Sequence, residues 1–225
     1  MTDTTEDFLR TTRASYDAIA RDYAAHYPSS LLHPLDRSLL RAFAESARGT
    51  APVADLGSGP GGVTALLHEL GVPAFGIDLS PEMVALAREA HPGLHFRTGS
   101  MTSLDVPDAS LGGILALYST IHVPDAHLPR AFAEFHRALR PGAPVLIAFQ
   151  TRKSGEAVPH LRLSERFTRE ITLDYYWRTA DRVTSLLTEA GLTPTATTRR
   201  EPSGEETRAR TFVLARRPSP GPRPE

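Results

Sequence analysis

Ten residues beginning at Val53, Val-Ala-Asp-Leu-Gly-Ser-Gly-Pro-Gly-Gly, join a short apolar run to glycines at 57, 59, 61 and 62. Glycine lets a backbone turn tightly and lets a ligand approach with no Cβ in the way. A helix starting directly behind such a loop offers its first free N–H groups to whatever sits above it. The spacing leaves the ligand open, because Gly57, Gly59 and Gly62 also satisfy the dinucleotide fingerprint. Two carboxylates narrow the choice. Asp55 stands just before the first glycine, where it would repel a pyrophosphate and favour an ammonium group. Asp78 follows Phe75-Gly-Ile77, at the place after a second strand suited to accepting hydrogen bonds from two ribose hydroxyls.

A second set of reactive side chains lies elsewhere in the chain. His122, in Tyr118-Ser-Thr-Ile-His-Val-Pro124, follows an apolar run of strand length. Its ordinary pKa near 6.5 suits a general base at neutral pH. Tyr16, Tyr23 and Tyr27 lie in one N-terminal segment, the first two seven residues apart and hence on one helix face. His122 and His127 lack a third ligand partner, so no metal is expected. Arg152, Arg162, Arg166 and Arg169 could meet an acidic acceptor, but Glu156, Glu165, Glu170, Asp174 and Asp181 share the region, which reads as a mixed, solvated surface. Tyr176 and Trp177 could wall a pocket there or anchor the segment to the core.

These residues need a scaffold that gathers them. From Glu6 to about Tyr27 apolar residues recur at helical spacing, and a second amphipathic segment runs from Leu35 to Ala47. Together they make a helical cap over residues 1–49. Strand and helix signals then alternate: Pro52–Leu56, Gly61–Leu70, Pro73–Ile77, a helix capped by Ser80 with Pro81 in its first position, Leu94–Arg97, Leu111–Tyr118, Leu128–Leu139 and Pro144–Phe149. That rhythm predicts a parallel sheet with helices on both faces. Residues 151–178 read as a polar, irregular insert; Thr179–Ala190 reads as a helix. Thr193–Arg200 and Thr207–Ala215 flank a turn and read as an antiparallel hairpin. The proline-rich stretch 218–225 reads as disordered.

Composition removes several function classes. With no cysteine among 225 residues there is no disulfide framework, thiolate zinc site, iron–sulfur cluster or cysteine nucleophile. Twenty-five basic against 26 acidic residues leave a net charge of −1, so no global field draws the chain to nucleic acid or an anionic membrane. The acidic N-terminus is not followed by an apolar signal-peptide core, and no run of about 20 apolar residues could span a bilayer, so a cytoplasmic location is expected. Only one of the basic residues, Lys153, is a lysine; so uniform a use of arginine reflects coding bias more than choice.

Three segments, in order, carry a resemblance. Val53–Gly61 resembles the first motif of the class I S-adenosylmethionine-dependent methyltransferases, Gly76-Ile-Asp-Leu-Ser-Pro-Glu-Met83 the second, and Phe96-Arg-Thr-Gly-Ser-Met-Thr102 the segment that brackets the adenine, with Ser100 where the family often has Asp. The resemblance covers Val53 to about Phe149. It implies an α/β, Rossmann-like, seven-stranded and mostly parallel sheet over residues 50–217, with a C-terminal antiparallel hairpin, an N-terminal helical cap and an acceptor-binding insert at 151–178. It implies transfer of a methyl group to N, O or activated C of a small metabolite or natural product, leaving S-adenosylhomocysteine, with no metal, as a monomer or homodimer. Asp55, Gly57, Ser58, Gly59 and Gly61 would face the methionine part and Asp78 the ribose. Leu79, Met83, Ser100 and Met101 would surround the adenine, and Tyr16, Tyr23 and Tyr118 would close over the cofactor. His122 with Tyr16 would serve catalysis, and His122, Tyr27, Tyr176 and Trp177 would line the acceptor site. A sulfonium loses its charge in the transition state, so aromatic faces and neutral oxygens beside it penalise reaction less than a carboxylate would. The alternatives are an NAD(P)-dependent oxidoreductase, against which Asp55 and the terminal hairpin stand, and a protein that binds the cofactor without turnover. Nucleic-acid acceptors are disfavoured, since an Asn/Asp-Pro-Pro-aromatic motif and a catalytic thiol are both missing.

Overall fold

Strand-length apolar runs can stay buried on both faces only if helices cover both sides of the sheet, and here they do. The computed structural model describes residues 4–27, 33–49, 51–157 and 159–219. In chain order they form helices α1 (Thr4–His26) and α2 (Pro34–Ser46), then β1 (Val53–Leu56), α3 (Gly62–Glu69), β2 (Ala74–Asp78), α4 (Pro81–Ala90), β3 (His95–Thr98) and β4 (Gly113–Leu117). There follow α5 (Leu128–Ala138), β5 (Pro144–Gln150), β6 (His160–Arg166), β7 (Arg169–Tyr176), α6 (Ala180–Glu189), β8 (Thr193–Arg200) and β9 (Arg210–Arg216).

Seven strands make one sheet in the order β3-β2-β1-β4-β5-β9-β8, and β6 and β7 make a separate hairpin. The pairs from β3 through β5 are parallel; β9 runs antiparallel to both β5 and β8. Chain order reverses between β1 and β4, and at such a switch point the two crossovers leave in opposite directions and open a crevice at the carboxyl ends of the strands. Alternation sorts the core: Val145, Ile147 and Phe149 of β5 face α5 and α6, while Leu146 and Ala148 face α2. Leu40, Phe43, Ala44 and Ala47 bury α2 against that second face, so of the two N-terminal helices only α1 reaches the crevice. The Ser80 hydroxyl accepts the Met83 N–H (3.1 Å) and Pro81 opens α4, as the cap pattern predicts.

The stretch expected to be an irregular insert contains the β6–β7 hairpin. Its two-residue connection, Phe167-Thr168, has both φ angles positive (+52° and +61°), a turn that normally asks for Asn or Gly. No turn signal therefore marks it in the sequence. The period-2 burial of Ile171, Leu173 and Tyr175 is the signal that could have revealed β7. Thr168 is exposed and β-branched in a left-handed conformation that costs about 1–2 kcal/mol. Thr168→Gly is therefore expected to stabilise the protein by about 1 kcal/mol, the gain net of glycine's extra unfolded-state entropy. Denaturant unfolding checks this, and a loss of stability would contradict the strain.

The hairpin and α1 are joined. The Ser15 hydroxyl accepts the Thr172 N–H (3.1 Å) and lies 2.8 Å from the Thr172 carbonyl oxygen. At the other side of α1, the Ser80 hydroxyl donates to Asp17 Oδ1 (2.5 Å). The crevice is thus covered by α1, with β6–β7 packed against that helix. Residues 220–225, most of the proline-rich tail, lie outside the described residues. Among the described residues no helix is long and apolar enough to cross a membrane.

Candidate functional site

The crevice holds about 780 Å³ of free space, counting the part open to solvent, at the carboxyl ends of β1, β2 and β4. The glycine loop is its floor. Gly57 donates its N–H to the Ile77 carbonyl (2.7 Å) and adopts φ +75°. A Cβ at that position would stand 2.3 Å from the Ser119 Cβ, so only glycine lets the loop and the turn after β4 meet. The buried hydroxyl of Ser119, on the crevice wall, has no partner among the described residues; neither has that of Ser58.

Asp78 ties the floor together. Its Oδ2 accepts the Gly59 N–H (2.8 Å) and its Oδ1 the Ser80 N–H (2.9 Å), so one carboxylate joins the glycine loop to the start of α4. Burial pushes its pKa up, opposed by hydrogen bonds from the backbone of Ser80, Gly59 and Leu79. Asp78 also lines the crevice. Leu79 and Met83 stand beside it, with Ser100 and Met101 opposite. The Ser100 hydroxyl is engaged with that of Thr102 (2.8 Å).

Over the floor stand two tyrosines of α1 and the turn after β4. Tyr16 donates its hydroxyl proton to His122 Nε2 (2.7 Å), because His122 Nδ1 donates to the Asp174 carbonyl (2.7 Å) and leaves Nε2 as the acceptor. Burial lowers the His122 pKa to about 4 and raises that of Tyr16 well above the usual tyrosine range. Both are therefore neutral at pH 7, and the ordinary histidine pKa expected from the sequence does not apply. Tyr23 packs edge-on against Tyr16, with burial pushing its pKa up to about 12. Tyr118 lines the wall with a strained φ of +54°, its ring against Phe212 and under the Arg210 guanidinium.

Several expected positions lie off the crevice. Asp55 is buried beneath the loop, where its Oδ2 accepts the Thr64 hydroxyl (2.7 Å) and burial pushes its carboxyl up to about 7. Within the loop, Ser58 is buried and Gly61 caps α3, and neither lines the crevice. Tyr27 is exposed at the end of α1 and receives a hydrogen bond from Arg166 (2.6 Å). Tyr176 stacks on His160, on the face opposite the inward Ile171, Leu173 and Tyr175, and Trp177 packs against the core under Arg208; both lie outside the crevice lining. Conversely, Phe8, Leu9 and Thr12 line the crevice and were not expected to. Leu9, Thr12, Tyr16 and Tyr23 are spaced 3, 4 and 7 residues apart, a helical stripe that the sequence does contain.

The turn bearing His122 is held by a residue far along the chain. Arg178, 4% exposed, donates to the carbonyls of Thr120 (3.1 Å) and Val123 (2.5 Å) and to Asp125 Oδ1 (2.7 Å). On the other side, the buried pair Arg200–Asp36 (2.7 Å) joins β8 to α2 below Tyr118. Among the described residues no group of three or more metal-ligating side chains occurs.

Asp55 and His122 carry opposite pH signatures. A carboxyl raised from 3.8 to about 7 makes the folded state hold a proton the unfolded chain has lost, so stability falls as pH rises through that window, by about 4 kcal/mol in full. An imidazole lowered from 6.5 to about 4 removes stability as pH falls through nearly the same window, by about 3 kcal/mol. The two largely cancel in the native protein. Asp55→Asn is expected to gain about 2 kcal/mol at pH 8, the amide's own burial offsetting the rest, and to become markedly less stable on acidification from pH 6.5 to 4.5. His122→Gln should show the reverse slope. Urea unfolding at pH 5 and pH 8 reads both; parallel profiles in all three proteins would contradict the assignment.

Residues 53–142 match a family model described as a methyltransferase domain. The demethylmenaquinone methyltransferase of Chlorobaculum parvum is 33% identical over 91 residues, covering 40% of this chain and 37% of that protein. The chain therefore spans well under half the length of that curated relative. The structure of a Burkholderia thailandensis 1,6-didemethyltoxoflavin-N1-methyltransferase, with 1,6-didemethyltoxoflavin and S-adenosylhomocysteine bound, superposes with a TM-score of 0.75 at 21% identity, over 97% of this chain and 92% of that one. The [4+2]-cyclase SpnF superposes with a TM-score of 0.73 at 17% identity, over 94% and 97%. At such identities the likeness is one of fold, and it joins proteins of different reactions.

Proposed function

Residues 53–142 being a methyltransferase domain within the fold of the class I S-adenosylmethionine-dependent methyltransferases, we propose that this chain transfers a methyl group from S-adenosylmethionine to N, O or activated C of a small-molecule acceptor. The observation that carries the reading is one crevice with the Gly57–Gly59 loop and Asp78 on its floor and the Tyr16–His122 pair above.

The residues fit that methyl donor. Asp78 lines the crevice where it can meet ribose hydroxyls, a Cβ at Gly59 would meet nothing within 4 Å, and Ser119, whose buried hydroxyl has no partner among the described residues, lines the same space. Leu79, Met83 and Met101 offer apolar faces to an adenine. The ammonium end would lie over the loop, above the buried Asp55 carboxyl. Bound there, S-adenosylmethionine supplies the methyl group as an electrophile on a sulfonium sulfur.

The chain's own part is alignment, exclusion of water and removal of a proton. Alignment of reactants supplies up to roughly 7–11 kcal/mol, and α1, braced by the hairpin, lies along the crevice as that requires. A small acceptor fits such a covered site better than a macromolecule does. Tyr16 meets the acceptor: its oxygen can accept the acceptor's proton while its own proton moves to His122 Nε2. The imidazolium formed is then stabilised through Nδ1–H by the Asp174 carbonyl. A base of pKa about 4 is weak. It suffices for an oxygen acceptor, because an oxygen that gains a methyl group becomes a strongly acidic oxonium whose proton leaves readily.

Calorimetric titration with S-adenosylhomocysteine and with NADH, and transfer of isotopically labelled methyl to a metabolite panel, test the reading. Homocysteine-nucleoside binding with methyl transfer is expected. NADH binding alone would replace it with a dehydrogenase; binding without transfer to any acceptor would leave a protein that holds the cofactor without turnover.

A further inference from the structure

Arg166 ends β6 on the cap side of the crevice. Its Nη1 donates to the Tyr175 hydroxyl (2.5 Å) and its Nη2 to the Tyr27 hydroxyl (2.6 Å), while its guanidinium carbon lies 6.0 Å from the centre of the Tyr23 ring and 5.4 Å from that of Tyr27. Tyr23 lines the crevice, and Tyr175 packs edge-on against His122 at 4.7 Å between ring centres. The guanidinium therefore stands just behind the lining, against the ring of Tyr23, which lines the crevice, and against Tyr175, which packs on the lining residue His122.

Its charge is unmatched. Among the described residues no carboxylate lies within 4.0 Å of Arg166, although it is partly buried. The most buried arginines elsewhere each meet an acid: Arg178 with Asp125, Arg200 with Asp36 and Glu206, Arg208 with Glu156. Two of the five guanidinium N–H groups are used, both on neutral phenols, which leaves three for a further acceptor. A planar fork with free N–H groups among aromatic faces matches a carboxylate or phosphate oxygen pair carried on a flat, unsaturated body.

Resting on the methyl-transfer reading, we propose that the acceptor carries an anionic group, a carboxylate or a phosphate monoester, and that Arg166 holds it on the cap side of the crevice. The acceptor's reactive atom would then lie toward Tyr16 and its anion toward Tyr23 and Tyr175. Arg166 is in this view a specificity residue.

The test uses the full chain saturated with S-adenosylhomocysteine, titrated with benzoate, phenyl phosphate and the neutral isostere benzamide. At least one anion is expected to bind 10-fold or more tighter than benzamide, and whichever does so identifies the group. Arg166→Gln should reduce that preference to under 2-fold, and Arg166→Lys should keep part of it. Tyr27→Phe, which releases one guanidinium N–H but keeps the charge, should retain it. If Arg166 only clasps α1 to the hairpin, Tyr27→Phe and Arg166→Gln will alter binding of all three probes alike; that result, or equal binding of anions and benzamide by the wild type, overturns the proposal. Failure of S-adenosylhomocysteine to bind overturns the methyl-transfer reading instead, and the three probes are then compared in the ligand-free protein with the same criteria.

Discussion

With an acceptor found by methyl-transfer screening, Tyr16→Phe and His122→Gln should each lower kcat by about 10²- to 10³-fold while S-adenosylhomocysteine affinity stays within about 3-fold. The pair shares one hydrogen bond (2.7 Å), and removal of either end breaks the path from the acceptor to the Asp174 carbonyl. Groups that act as one unit are non-additive, so the double variant should be scarcely slower than either single one. The pH profile separates chemistry from packing. With His122 at about 4 and Tyr16 neutral throughout, wild-type kcat should stay level from pH 7 down to about 5 and fall only as pH approaches 4. Wild-type turnover in both variants, or a profile breaking near 6.5, would remove the relay.

Asp78→Ala should weaken S-adenosylhomocysteine binding by roughly 100-fold, since one charge-assisted hydrogen bond is worth about 1.5–3 kcal/mol. The structure adds a second reason for a large loss. The same carboxylate accepts the N–H groups of Gly59 and Ser80, so its removal leaves both donors unpaired and frees the glycine loop from α4. Asp78→Asn should be nearly as damaging, because its NH₂ would face one of those N–H donors. Calorimetry at pH 7.5 measures both; an affinity within 3-fold of wild type in Asp78→Ala would mean that the sugar is held elsewhere.

Reading the chain alone reached the parts of the fold that depend on neighbours in sequence. The alternation of strands and helices from Val53 to Gln150, the Ser80 cap and the place of Asp78 after β2 all follow from local periodicity and cap chemistry. The β6–β7 hairpin stayed hidden because Phe167-Thr168 supplies a left-handed turn without the residues that advertise one. Phe8, Leu9 and Thr12 were missed because a helical stripe states which residues share a face but not what that face covers.

The sequence by itself determined the scaffold and the loop with its carboxylate: backbone conformation at glycine, the strand period and helix capping are set within a few residues. Packing alone brings Tyr16 to His122 across 106 positions, places Asp55 under the loop rather than in the crevice, and leaves Arg166 with no acid within 4.0 Å among the described residues. Those outcomes depend on which elements share a surface and on how much water they exclude. Desolvation moves the His122 pKa to about 4 and the Asp55 pKa to about 7, and residue order does not encode that burial until the chain has packed.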